Sequence, residues 1–383
     1  MIARAAARGS NGEAGAAEVA APPHAAMDAV DTDLIAGVGA RAVPAWQRAL
    51  GEAVSSVGEL LDLLELAPER LPPHLRPSER PADAAARDFP LRVPRGFVSR
   101  MRPGDPADPL LLQVLPTAAE LVAAPGYAAD PLAEADQATA VSPLPGVLHK
   151  YRGRALLLVT GACGIHCRYC FRRHFPYGEH AAGGDGWRPV LDWLAASPGV
   201  EEAILSGGDP LAAGDEKLAR LVAGLDAVPH LRRLRIHTRL PVVLPERVDA
   251  ALAGWLGGTR LSTVVVLHAN HHHELDAAVA MAIKRLRAAG ATVLNQAVLL
   301  AGVNDSVAAQ CELSRALFDA GALPYYLHLL DRVAGAAHFE VGEPRARELL
   351  RGVMAELPGY LVPRLVREVP GAPYKVPLEL GAG

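Results

Sequence analysis

The chain has 383 residues, is 50% hydrophobic and carries a formal net charge of −4. That length suits one large α/β barrel with an appendage, or two or three average domains. The balanced charge gives no sign of a nucleic-acid or membrane partner. No apolar run is long enough to span a bilayer, and no secretory signal is in view. Four cysteines, three of them clustered, argue against a secreted disulfide framework and for a cytoplasmic globular enzyme.

Residues 1–40 are rich in Ala and Gly and poor in large apolar side chains, so they are expected to form a disordered leader, with Met27 as an alternative start. From Trp46 to Leu66 the spacing turns helical, through Leu50, Val54, Val57, Leu60, Leu61 and Leu64. Short segments punctuated by Pro follow, FPLRVPRGFVSRM and DPLLLQVLPTAAEL. Residues 41–145 are therefore expected to form a mostly helical N-terminal region that packs on something larger.

From 146 to 383 a rhythm sets in. RALLLVT, EEAILSGGDP, RRLRIHTR, LSTVVVLHAN, ATVLNQAVLL and PYYLHLLD each read as a strand, and each is followed by a helical stretch. In EKLARLVAGLDAV, Leu218, Leu221, Val222 and Leu225 mark one helix face. Six strand-then-helix units imply a parallel sheet with crossover helices. Unusual polar residues sit where the strands end: the cysteines, SGGD, HTR, HAN, NQ and LLD. In a parallel barrel the site is built from those loops. The expected fold is α/β, an incomplete TIM-like (β/α)6 barrel.

Cys163, Cys167 and Cys170 fall inside one eight-residue window, TGACGIHCRYC. A cubane iron–sulfur cluster has four irons, each wanting a thiolate, so three local cysteines bind three irons and leave the fourth open. Cys311, in AAQCELSRAL, reads as an ordinary buried thiol. A structural zinc site is the competing reading, with His166 or His174 as fourth ligand. Zinc sites usually come as two separated ligand pairs, and no second pair is present. His271, His272 and His273 resemble a metal tract but read as solvated at a helix entrance.

Cys-x3-Cys-x2-Cys, with Tyr169 before the last cysteine, resembles the signature of radical S-adenosylmethionine (SAM) enzymes. There the open iron of a 4Fe–4S cluster is chelated by SAM. One strand–helix unit later, Ser206, Gly207, Gly208 and Asp209 resemble the family's Gly-Gly-acid motif for the SAM amino group. CRYCFRRHFPYGE, SGGDPL, LRIHTRLPVVLPER, LNQAVLL, VND, PYYLHLLD and GYLVP, in that order, narrow the resemblance to the lysine 2,3-aminomutases. It runs from about Phe89 to the C-terminus.

That resemblance implies a second cofactor, pyridoxal 5′-phosphate, held as a Schiff base on Lys375 in EVPGAPYKVP. It implies that Tyr151 packs on this cofactor and that Arg154 lies near its phosphate; Lys150 stands where some members carry Arg. His268 and Gln296 match SAM contacts. Arg172 matches the arginine that binds the carboxylate of L-lysine, a natural bidentate pair. Asp331 and Glu368 match the acids that receive its ε-ammonium. The implied reaction is an isomerisation in which nitrogen migrates from C2 to C3 of lysine and yields β-lysine. It requires an electron donor of the flavodoxin or ferredoxin type.

Catabolic members carry a zinc-binding cysteine tail and a cysteine just after VND. Here Ser306 follows VND, so that site is expected to be absent. RRHFPYGE and GAAHF resemble the branch that makes (R)-β-lysine for the ligase that lysylates elongation factor P. A homo-oligomer is compatible with this reading. Two alternatives stay open: an aminomutase for another amino acid such as glutamate, or for lysine catabolism, and a zinc-stapled binding module.

Overall fold

The computed structural model describes residues 43–73, 76, 89–135, 143–180 and 186–379. The leader expected at 1–40 lies outside them. Pro44–Gly383 forms one compact unit.

The unit is built on one nine-stranded sheet whose order follows the chain: β1 Val147–Tyr151, β2 Arg154–Thr160, β3 Glu202–Gly207, β4 Arg233–Thr238, β5 Ser262–His268, β6 Thr292–Val298, β7 Leu323–His328, β8 Arg364–Arg367 and β9 Val376–Pro377. Strands β2 to β8 are parallel throughout. β1 and β9 add antiparallel at the two edges, on β2 and β8, and do not pair with each other. The barrel is therefore incomplete, and its inner face is open to a ligand from one side.

The six expected strand–helix units are present. Their crossover helices are α3 Arg188–Ala195, α4 Asp215–Asp226, α5 Ala250–Gly257, α6 Ala277–Ala288, α7 Val307–Ala320 and α8 Glu343–Glu356. On α4 the buried residues are the four expected, Leu218, Leu221, Val222 and Leu225. Ser306, the residue after VND, caps α7: its hydroxyl accepts from the Ala309 amide at 3.2 Å. Gly321 ends α7 in the left-handed region, φ +98°, where an L side chain is strained. Cys311 lies inside α7 and is buried.

The N-terminal part is less regular than its spacing implies. The stretch from Trp46 to Leu66 divides into α1 Ala45–Gly51 and α2 Val57–Leu63. Val54, between them, pairs instead with Val93. The break has a local cause, because the Ser56 hydroxyl caps α2 by accepting from the Glu59 amide. This region is tied to the barrel by arginines. Arg247 stacks on the buried Trp46 ring at 4.5 Å, and Arg100 donates to the Val242 carbonyl at 2.8 Å.

Candidate active site

A cavity of about 520 Å³ occupies the barrel. Every residue singled out in the sequence as a site candidate lines it: the three clustered cysteines, Tyr151, Arg154, Arg172, Ser206 to Asp209, His268, Gln296, Asp331, Glu368 and Lys375. The chain brings them there for a topological reason. β2 to β8 are parallel, so the residues at and after their C-terminal ends share one rim, whereas Tyr151 and Arg154 come from the β1–β2 turn, at the other end of β2. The short antiparallel β9 then folds Lys375 back beside Glu368, at the end of β8.

The cysteine loop follows β2 and packs tightly against the end of β3. A Cβ on Gly208 would lie 2.5 Å from the Ala162 carbonyl oxygen and 2.7 Å from that of Gly161. Only a glycine lets these two backbones approach so closely. Gly207 has φ +128° and is equally confined by Thr160. Burial, then charge on the neighbouring thiols, pushes Cys163 well up and Cys170 up to about 11. Thiols that raise one another in this way suit a shared cationic group. Among the described residues, the tight group of possible single-ion ligands is His271–His273, not the cysteines. His166 is committed to the Pro90 carbonyl at 2.7 Å, and His174 approaches that of Ala334 at 3.3 Å. The geometry does not favour zinc.

Asp209 lines the cavity, and its carboxylate accepts four hydrogen bonds from the protein. Its oxygens take the Thr238 hydroxyl at 2.7 Å and the amides of Arg239, Leu240 and Leu211 at 2.7, 3.0 and 3.0 Å. It ties the end of β3 to the end of β4. Burial raises its pKa, and those hydrogen bonds oppose the rise.

Beneath the cysteines lies a buried polar network that the motifs do not announce. Arg239 donates to Cys167 Sγ at 2.7 Å, Tyr169 Oη at 2.5 Å, Gln113 Oε1 at 2.7 Å and Glu274 Oε2 at 3.0 Å. Tyr169 Oη also meets His268 Nε2 at 2.9 Å, and the two rings stack. Asn270 Nδ2 donates to Tyr169 Oη at 2.7 Å. Burial and the Arg239 charge hold His268 down to about 3, so it is neutral near pH 7. His271 departs from the sequence expectation. It is 7% exposed rather than solvated, its Nδ1 accepts from the His273 amide at 3.2 Å, and burial pushes it down to about 3. His272 pairs with Glu312 and His273 contacts Arg102.

The other half of the cavity is a chain of alternating charges. Arg172 donates through Nε and Nη2 to the two oxygens of Glu134, at 2.6 and 3.0 Å. Its Nη1 reaches Ser206 Oγ at 3.2 Å and the Gly207 carbonyl at 3.4 Å. Lys150 lies 2.7 Å from Glu134 and 3.3 Å from Glu368. Glu368 also accepts from Tyr151 Oη at 3.0 Å and pairs with Lys375. The Arg154 guanidinium lies over the Tyr151 ring at 4.6 Å. Burial alone would raise Glu368, but Lys375 and Lys150 hold it below the usual carboxylate range. Asp331 moves the other way. Burial, then the Glu368 charge, pushes it up to about 7.

No family model matches the chain. Whole-chain relatives do. An L-lysine 2,3-aminomutase of Escherichia coli is 48% identical over 336 residues, 88% of this chain and 94% of the relative. That of Haemophilus influenzae is 46% identical, over 86% of this chain and 94% of its own. The Clostridium subterminale enzyme of the same name is 33% identical, over 87% and 77%. The chain belongs to the L-lysine 2,3-aminomutase family. A radical SAM methyltransferase from Sphaerobacter thermophilus aligns with a TM-score of 0.43 and 18% identity, over 58% of this chain and 68% of its own. Cofactors of the aminomutase family are a 4Fe–4S cluster, SAM and pyridoxal phosphate, and this cavity has donors suited to each: three thiols, a glycine turn of close-packed backbone, and a lysine with an aromatic and an arginine nearby. Among the described residues, no helix is long and apolar enough to cross a membrane.

Proposed function

We propose that the protein converts L-lysine to β-lysine by moving the amino group from C2 to C3. The observation that carries this is the charge layout of one cavity. Arg172 lies beside the cysteine loop, and two acids, Asp331 and Glu368, lie beside Lys375. The identity to relatives of that name along most of the chain supports the same reading.

In this reading Cys163, Cys167 and Cys170 hold the cluster, and the SGGD turn with His268 and Gln296 borders SAM. Lys375 carries pyridoxal phosphate, with Tyr151 against its ring and Arg154 near its phosphate. Together these groups supply a carbon-centred radical and a means of delocalising it. The protein's own part is position. Arg172 and Ser206 fix the carboxylate of lysine, while Asp331 and Glu368 fix its ε-ammonium. Two anchors at opposite ends of a flexible substrate set which carbon meets the radical. Asp209 and Arg239 keep the loops that bear the cysteines and Tyr169 in place. Neutral His268 would put an uncharged ring on the wall that borders SAM.

We assign the product as (R)-β-lysine and its destination as the ligase that lysylates elongation factor P, in the cytoplasm, with a flavodoxin- or ferredoxin-type donor reducing the cluster. RRHFPYGE and GAAHF support that branch, as does Ser306, which serves as a helix cap where catabolic members bind zinc through cysteine. An aminomutase for glutamate is disfavoured, since a second substrate carboxylate would meet Asp331 and Glu368. The test is anaerobic reconstitution with iron, sulfide, SAM, reductant and L-lysine. Chiral analysis of the product and charging of purified elongation factor P follow. A product of the S configuration, or one the ligase refuses, overturns the branch assignment; no β-lysine at all overturns the reaction.

A further inference from the structure

Glu134 belongs to none of the motifs, yet it is among the most buried acids of the cavity, its side chain 4% exposed. It comes from the irregular segment that precedes β1. Asp130 fixes its backbone: one carboxylate oxygen accepts from the Glu134 amide at 3.0 Å, the other from the Ala135 amide at 2.8 Å. The side chain then grips Arg172 side-on, using both oxygens. Burial would raise the Glu134 carboxyl, but Arg172 and Lys150 hold it below its ordinary range. It is therefore charged wherever the enzyme works.

Two features make this more than an ion pair of the fold. First, an arginine offers a carboxylate two bidentate faces, the Nε–Nη2 side and the Nη1–Nη2 end. Glu134 takes the side. At the end, Nη1 donates to Ser206 Oγ at 3.2 Å and to the Gly207 carbonyl at 3.4 Å, neutral acceptors at long range that a substrate carboxylate would replace or share. Second, the pair is a partition. A smaller cavity of about 190 Å³ lies on its far side, bordered by Asp130, Glu134 and Arg172. Without Glu134, the guanidinium has room to swing toward Asp130 and away from the substrate.

We propose that Glu134 is a positioning residue for substrate recognition: by clamping the side of Arg172 it presents the end of the guanidinium to the carboxylate of the substrate. The proposal rests on the lysine reading given above. The experiment compares L-lysine with L-lysinamide, which keeps both amines and lacks the carboxylate. Calorimetry on the reconstituted enzyme gives the affinity for each. Turnover gives β-lysine formed against 5′-deoxyadenosine released without product. Loss of a charge-assisted bidentate contact corresponds to about tenfold or more in affinity. Glu134→Ala should therefore cost lysine about tenfold, leave lysinamide unchanged, and shift the partition toward uncoupled release. Glu134→Gln should behave similarly, and Glu134→Asp should recover part of the preference.

Equal losses for lysine and lysinamide would show a role in the fold only and overturn the proposal. So would an unchanged preference, or tighter lysine binding, which would make Glu134 a competitor of the substrate. Should the alanine variant fail to load cofactors, the Gln and Asp variants decide the matter by the same ratio. A parent enzyme that makes no β-lysine fails the underlying reading. A parent that makes it and prefers lysine, beside a Glu134→Ala variant with the same preference, fails this proposal alone.

Discussion

In the proposed reaction Asp331 would confer a pH dependence in a window where Glu368, Glu134, His268 and His328 do not titrate. Its carboxyl is pushed up to about 7, first by burial and then by the charge of Glu368; Glu134 adds to the rise, while Lys375 and Lys150 oppose it. Glu368 and Glu134 stay below the carboxylate range, and His268 and His328 are held near 3. The direction follows from the sign of the shift. A raised acid is protonated and neutral below its pKa, so it receives a substrate ammonium only as pH rises through about 7. With that midpoint, about one-tenth of the enzyme carries the ionised acid at pH 6 and about nine-tenths at pH 8. The kcat/KM for lysine should thus rise about tenfold across the interval, since that parameter reports the free enzyme. Asp331→Asn should abolish this limb. Asp331→Ala should raise the lysine requirement by about tenfold or more, since loss of one charge-assisted contact costs about 1.5–3 kcal/mol while Glu368 remains as the second acid. The assay is initial β-lysine formation against lysine concentration at half-unit pH intervals. A flat profile from pH 6 to 8, or an acid limb that survives in Asp331→Asn, would refute the reasoning.

Four further outcomes are expected. Replacing Cys163, Cys167 or Cys170 by Ala should remove bound iron and sulfide and end reductive SAM cleavage, whereas Cys311→Ala, inside α7, should spare both; iron and sulfide analysis with 5′-deoxyadenosine release checks this. Lys375→Ala should lose the pyridoxal absorbance that borohydride fixes while still cleaving SAM slowly, as read by absorbance and peptide mapping. Gly208→Ala should cost about 1–3 kcal/mol, since its Cβ would press on two backbone oxygens that cannot move aside. Gly254→Ala, with nothing within 4 Å, should leave the melting temperature unchanged or higher.

What the sequence reveals and what it hides divide along a physical line. Period-two and period-3.6 patterns report a local element, so six strands and the buried face of α4 are legible directly. The cysteine loop is legible because its ligands lie within eight residues. The Arg239 network is not, because its partners are far apart in sequence: Gln113 and Glu274 meet at 3.1 Å across 161 residues. Glu134 is hidden likewise, 38 residues before the arginine it grips and in a stretch without periodicity. β8 and β9, of four and two residues, are too short to show a pattern, yet they deliver Glu368 and Lys375. The break at Val54 was masked by apolar spacing that continues across it, while the Ser56 cap was the contrary signal.

The ionic chain gives the two ends of the cavity different tasks. From Arg172 through Glu134, Lys150 and Glu368 to Lys375, each acid is shared by two cations. Glu368 is the hinge of this balance, because it faces the lysine that is to hold the cofactor. In the proposed reading Lys375 would hold the cofactor, and its place against one Glu368 oxygen would open to another cation while Lys150 keeps the other oxygen. A substrate ammonium is the group that restores the balance. Asp331, half protonated near pH 7, then ionises beside it and releases a proton to water as the cation binds. A substrate with a distal carboxylate has the opposite effect: it adds a third negative group beside Asp331, whose carboxyl the Glu368 charge already raises. In the proposed reading, selection for a distal amine would therefore rest on Lys375 as well as on the two acids, because Lys375 and the substrate ammonium would meet the same carboxylate.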